Sequence, residues 1–454
     1  MQSGGKCHLM KAAICTESLD FQRIAAAVGP APGAAYAAAH AYPASAPMYS
    51  ECRCAERDRP TGDVLRLYVH IPYCNYRCTF CFFAVRVGAA RDEMTRYISA
   101  LRRELEWAEA GTPLSQLFVG GGTPTALPPD LLDALLGATF EHLPSHGRHV
   151  HVVEASPESI TAEHVEVLQR RGIGRVSMGA QSLHEDVLSA VHRRHSADQT
   201  LAACDLVVGR GLILNIDLMY GLPTQTEESF RRDFAAIAGR GVQSVTVYDL
   251  RLNEQTPVAR TVADAERLEL ERLVRWRLYV KQTAAEFGFS QTRWHTFKRL
   301  DTIAAKHEHA PHHNRAGRGY QLGIGMSARS HLGTNVYRNH ERIPQYLERV
   351  ESGRSPVEHV IRLGEDDCRT QYVASTLGDG NPLDSSDYKR VFGTAFADDF
   401  AEPLGRLRDG GLIEEDKGVI CLSEIGRLVH DRVTYNFYPE RVLRWLSSRR
   451  SSRH

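Results

Sequence analysis

The run LRLYVHIPYCNYRCTFC, residues 65–81, decides how this chain is read. Leu65 to Ile71 is expected as a strand. Three cysteines follow at once, Cys74, Cys78 and Cys81, in the spacing C-x3-C-x2-C. Three thiolates with no fourth at a matching interval suit a four-iron cluster with one iron left open. An open iron is a place for a small molecule to bind, which points to a reactive centre rather than to electron storage. Zinc asks for four ligands, usually as two pairs, and no second C-x2-C pair lies downstream. Ten cysteines in 454 residues do not make a disulfide framework.

Outward from this run, short apolar strands alternate with amphipathic helices. Strands are expected at 117–119, 149–154, 175–178, 212–219 and 244–248, with helices at 92–110, 162–171, 185–191 and 226–238. Such repetition implies βαβ units and an α/β fold with a parallel sheet, a partial or complete (β/α) barrel. Reactive groups then gather at the C-terminal ends of the strands. The cysteine run follows the first strand, and Gly120-Gly121-Gly122-Thr123 follows the second. A long helix is expected over 263–287.

Four segments are expected: an arm or linker at 1–62, the barrel at 63–290, its completing loops at 291–362, and a small winged-helix-like α+β domain at 363–454. The stretch 25–46, rich in Ala, Pro and Gly, reads as linker. Cys7, Cys15, Cys52 and Cys54 read as free thiols on that arm. His307, His309, His312 and His313 read as a solvated loop. Lys+Arg and Asp+Glu balance at 55 each, so no basic field points to nucleic acid. No apolar run is long enough to span a bilayer, and the start makes a poor signal peptide. A reducing cytoplasm is the expected location.

The motifs together resemble the radical S-adenosylmethionine (SAM) enzymes of the oxygen-independent coproporphyrinogen III oxidase-like group. They are YVHIPYC (68–74), GGGTPT (120–125), Glu154 in VEASP, SMGAQS (177–182), NIDLMYGLP (215–223) and LGIGMSA (322–328). The resemblance implies that Cys74, Cys78 and Cys81 bind a [4Fe–4S] cluster whose fourth iron takes SAM. One-electron cleavage of SAM would then yield a 5′-deoxyadenosyl radical. It further implies that Tyr68 and Phe80 pack near the cofactor, that Gly121, Gly122 and Thr123 meet its methionine end, and that Glu154 holds its amino group. Gln181, Arg193 and Asp217 match further cofactor positions, with Arg193 suited to a carboxylate. Gly323 and Gly325 would lie near a second SAM.

Two departures shape the expected activity. Phe83 stands where the coproporphyrinogen oxidases usually carry a fourth cysteine. His313-Asn314 lacks the Tyr-Trp pair that follows it in heme-chaperone relatives. Phe82-Phe83, with Arg86 and Gly88, resembles the class C radical methyltransferases of natural-product pathways. The leading expectation is therefore methyl or methylene transfer from a second SAM to an unreactive carbon of a small-molecule or peptide-derived substrate. The alternative is an oxidative or ring-opening tetrapyrrole enzyme, or a heme-binding carrier. No catalytic base is assigned; Tyr248, Asp249 and His295 are candidates. A flavodoxin or ferredoxin is the expected electron donor, with no nucleic-acid or membrane partner.

Overall fold

In Leu65–Ile71, Leu65, Leu67, Val69 and Ile71 are at most 1% exposed, whereas Arg66 and Tyr68 are only partly covered. Odd positions bury against helices and even positions face the other side, as the two-residue repeat of a strand requires. The computed structural model describes residues 19–30, 52–53, 57, 64–147, 149–252, 256–262, 269–302 and 320–448. Within them the chain forms two compact units. The expected sites at Cys7, Cys15, Cys54, His307, His309, His312 and His313 lie outside the described residues, and of Cys52 only the backbone is described.

The larger unit holds the expected parallel strands. They are β1 (Leu65–Ile71), β2 (Leu114–Gly121), β3 (Val152–Ala155), β4 (Arg175–Gln181), β5 (Ile213–Tyr220) and β6 (Ser244–Asp249). Each pairs in parallel with the next, from β1 to β6. The sheet continues past β6 through β7 (Ser290–Gln291) and β8 (Thr296–Lys298). On the β1 side it continues through β9 (Tyr320–Ile324), β10 (Arg329–Leu332), β11 (Asn335–Asn339) and β12 (Val357–Arg362). Strand β9 is parallel to β1; β10 to β12 form an antiparallel extension. The two ends of this sheet do not pair among the described residues, so the barrel is partial.

Helices α1 (Arg91–Leu105), α2 (Pro129–His142), α3 (Ala162–Arg170), α4 (Ala197–Gly209) and α5 (Glu227–Ala238) connect the parallel strands. Three begin with reciprocal caps: Thr161 with His164, Ser196 with Gln199, and Thr226 with Ser229. Each satisfies backbone donors that a helix start would leave bare. Helix α4 was not expected from the sequence. Its pattern is weakly two-faced, and only the Ser196–Gln199 cap announced it.

The smaller unit comprises helix Phe21–Val28, the start of helix Leu270–Glu286 and the chain from Arg369 onward. It contains the expected helix at Ala401–Asp409 and the two-stranded wing at Ile413–Asp416 and Val419–Leu422, joined by Leu383–Asp384 as a third strand. Tyr388, Phe396, Phe400 and Phe437 form its aromatic core, with ring centroids 5.1–6.3 Å apart. The Ala-rich stretch read as linker starts inside a helix. Asp20 caps Phe21–Val28, Ile24, Ala27 and Val28 are buried, and Asn436 bonds the Val28 carbonyl at 3.2 Å.

Candidate functional site

The cysteine loop leaves β1 and is pinned by backbone bonds at its centre. Thr79 donates to the Val191 carbonyl at 3.1 Å and accepts from Val258 at 3.1 Å. Phe80 packs against an apolar cluster that includes Val187, Val191, Met219 and Val258. Tyr76 contacts His195 Nδ1 at 3.4 Å, and His195 Nε2 contacts the Ala180 carbonyl at 3.1 Å. Cys74, Cys78 and Cys81 are free and partly buried. Burial pushes the Cys74 thiol up to about 11 and raises Cys81 as well.

The second strand ends against this loop. Gly122 N–H donates to the Ile71 carbonyl and Thr123 N–H to the Tyr73 carbonyl, both at 2.7 Å, and Thr123 Oγ1 lies 3.6 Å from Cys74 Sγ. Gly121 has φ +117°, a region that disfavours side chains. A Cβ at Gly122 would sit 2.7 Å from the Tyr73 carbonyl oxygen and 2.9 Å from Cys74 Sγ. No side chain larger than hydrogen fits between this turn and the cysteine loop.

Cross-strand register places the polar residues on one inner face. Tyr68 pairs with Phe118, Phe118 with Val152, Glu154 with Ser177, Ser177 with Asn215, and Asp217 with Thr246. Paired residues share a face. Glu154 Oε2 accepts from Gly121 N–H at 3.1 Å. Burial, reinforced by Asp217, pushes the Glu154 carboxyl up to about 8. Burial also lifts Asp217 to about 6, against the pull of Arg175, Asn215 and Ser177. Tyr68 hydroxyl meets His70 Nδ1 at 3.0 Å. Tyr248 stands 44% exposed with its ring 5.6 Å from that of His295, so this face is open to solvent there. Asp249 pairs with Arg251 at 3.1 Å.

Arg193 is turned inward and Arg194 is exposed, which fixes the register of that pair. Arg193 Nη1 donates to Cys78 Sγ at 3.5 Å, and Nη2 donates to Ser156 Oγ at 3.3 Å and to the Gly179 carbonyl. Its guanidinium lies 5.5 Å from the Tyr76 ring centre, and its Nε is buried without a hydrogen-bond partner. Burial opposes the Arg193 charge, but Cys78, Tyr76 and Glu158 hold it in place. Gln181 ends β4 at φ +69°, beside a bulge between Gly179 and Gln181. A non-glycine residue held there stores strain that marks functional sites. Ser156, Glu158, Arg175 and His195 were not singled out from sequence; only Ser156 fell inside a quoted motif.

Gly323 pairs with Tyr68 across β9 and β1. A Cβ on Gly323 would run into the Arg329 backbone, and one on Gly325 (φ +99°) would sit 2.7 Å from both the His70 carbonyl oxygen and the Tyr97 hydroxyl. Packing of the β9–β10 hairpin onto β1 thus requires both glycines.

Residues 68–237 match the model of the radical SAM superfamily. The chain carries a radical SAM domain. Beyond it, the oxygen-independent coproporphyrinogen III oxidase of Escherichia coli is 29% identical over 384 residues, 80% of this chain and 83% of that one. The heme chaperone HemW of Mycobacterium tuberculosis is 28% identical over 320 residues, 69% and 81% of the two chains. The solved coproporphyrinogen III oxidase (HemN) from Escherichia coli aligns over 93% of this chain and 94% of its own with a TM-score of 0.71 and 26% identity.

This is therefore an enzyme of radical SAM type, and its cofactors are a [4Fe–4S] cluster and SAM. The residues fit both. Among the described residues no three His, Cys, Asp or Glu side chains converge as ligands of a single ion do. A cluster takes one thiolate per iron and needs no such convergence. The glycine turn against Cys74, the buried Arg193 Nε and the paired acids Glu154 and Asp217 make a cradle for a small zwitterionic cation.

The expectation of a natural-product methyltransferase is corrected by these relatives, which are coproporphyrinogen oxidases and heme chaperones. It had leaned on Phe83. That ring is 53% exposed and lies tilted against Phe82 with centroids 4.6 Å apart, so it does not shape the enclosed part of the site.

Proposed function

We propose that this enzyme oxidises a carboxylate-bearing tetrapyrrole of the coproporphyrinogen type by a radical SAM mechanism. The supporting observation is the likeness to the solved oxidase along nearly the whole of both chains, not over the radical SAM domain alone. When bound at the reduced cluster, SAM supplies the hydrogen-abstracting 5′-deoxyadenosyl group.

In this reading Cys74, Cys78 and Cys81 hold the cluster. Gly121, Gly122 and Thr123 bring bare backbone to the methionine end. Glu154 takes the amino group, the expected partner for an ammonium, and Arg193 takes the carboxylate. Gln181 and Asp217 line the same cradle, while Tyr68 and Phe80 exclude water from it. A flavodoxin or ferredoxin supplies the electron. A second SAM beside Gly323 and Gly325 predicts two equivalents bound at saturation; one equivalent removes it from the scheme.

The test is anaerobic turnover of reconstituted enzyme with reductant, SAM and coproporphyrinogen III. The expected result is 5′-deoxyadenosine formed with matching loss of the tetrapyrrole and no S-adenosylhomocysteine. The HemW relative favours one second reading, heme carriage. Tight heme binding without SAM cleavage would select it.

A further inference from the structure

The inner face beside Tyr68 carries a group of cations that the SAM cradle does not use. Arg66 lies two residues before Tyr68 on the same face of β1. It pairs with Gln321, and Gln321 pairs with His331. Arg329 lies two residues from His331 on that face and pairs with Arg338 across β10 and β11. Four cationic or ionisable side chains, Arg66, Arg329, His331 and Arg338, thus share one face across three strands, β1, β10 and β11.

Arg329 and His331 stand out among them. Arg338 pairs with Glu341 and feels Glu358. Arg329 is partly buried; burial lowers its pKa with no acid raising it, and among the described residues no ion pair holds its guanidinium. His331 Nδ1 is buried without a hydrogen-bond partner. Burial, with Arg329 and Arg66 nearby, pushes His331 down to about 3. A partly desolvated guanidinium without an anion is unfavourable, and a bound carboxylate would supply the missing charge. The planar fork of arginine suits a carboxylate, which it can hold with two parallel bonds.

We infer that Arg329, with Arg338, Arg66 and His331, forms a carboxylate-binding subsite that grips an acidic side chain of the tetrapyrrole substrate. This rests on the proposed function and adds the residues that would set its preference for carboxylated rings. Gly323 permits the arrangement, since a side chain there would run into the Arg329 backbone and push β10 away from β9. The same chemistry could serve the carboxylate of a SAM molecule, and the experiment must separate the two.

Anaerobic binding of coproporphyrin III and of its tetramethyl ester to the reconstituted wild-type enzyme provides the first arm. At least tenfold tighter binding of the free acid is expected. Arg329→Gln and Arg338→Lys should each erase most of that preference; the wild-type comparison stands even if a variant fails to fold. Equal binding of acid and ester, or variants that keep the preference, would overturn the subsite. Loss of SAM affinity in Arg329→Gln with the acid preference retained would reassign it to the cofactor and also overturn it. A wild-type enzyme that binds neither porphyrin would instead strike the tetrapyrrole reading itself, and the subsite's ligand with it.

Discussion

At the scale of single residues the acids and thiols of the cradle set the behaviour. Glu154 has a folded pKa of about 8 against an ordinary 4.5, and Asp217 about 6 against 3.8. Both raised values mean that the folded chain holds protons the unfolded chain has released. Their contribution to stability is intact below about pH 4 and is lost as pH rises, through about 6 for Asp217 and about 8 for Glu154. Melting of the cofactor-free protein should therefore fall from pH 5 to 8, and Glu154→Gln should flatten most of that slope. An unchanged slope would remove the strain assigned to Glu154. With the SAM ammonium on Glu154, binding expels the carboxyl proton, so SAM affinity should rise from pH 6 to 8 and lose that rise in Glu154→Gln. With Cys78 as a proposed cluster ligand, Cys78→Ala should abolish the cluster absorbance of reconstituted protein; retained absorbance with turnover would refute the assignment.

At the scale of elements, one buried acid ties helix α1 to the β9–β11 strands. Glu104 is fully buried and accepts from Arg57 at 3.1 Å and from Gly325 N–H, Asn339 and Tyr346 at 2.7 Å each. Tyr97 on the same helix accepts from Met326 N–H and donates to the His70 carbonyl, both at 2.9 Å. Removing one member of a buried charge network strands the rest. Glu104→Ala should cost ~3–5 kcal/mol in denaturant unfolding; a loss under ~1 kcal/mol would show the network to be dispensable.

The alternation of Leu65 to Ile71 and the GGGT turn made the parallel strands legible, because each is a local pattern. Helix α4 was not legible, since its burial follows from the sheet it packs on and not from a strong stripe of its own. Glu104 and Arg329 were equally hidden. The partners of Glu104 lie up to 242 residues away, and one sequence does not reveal which charges a fold will bring together.

At the scale of the whole molecule, likeness along nearly the entire chain favours a tetrapyrrole over the small methyl acceptors that Phe83 suggested. Motif reading gave the cluster and SAM as cofactors because short-range spacing carries that signal. Substrate choice rests on side chains brought together from separate elements, which no local motif carries. The most direct measurement is hydrogen transfer from substrate. Coproporphyrinogen III deuterated on its propionate chains should yield 5′-deoxyadenosine carrying one deuterium, in step with tetrapyrrole oxidation. Unlabelled 5′-deoxyadenosine with the tetrapyrrole untouched, or label-free product bearing a SAM-derived methyl group, would contradict it.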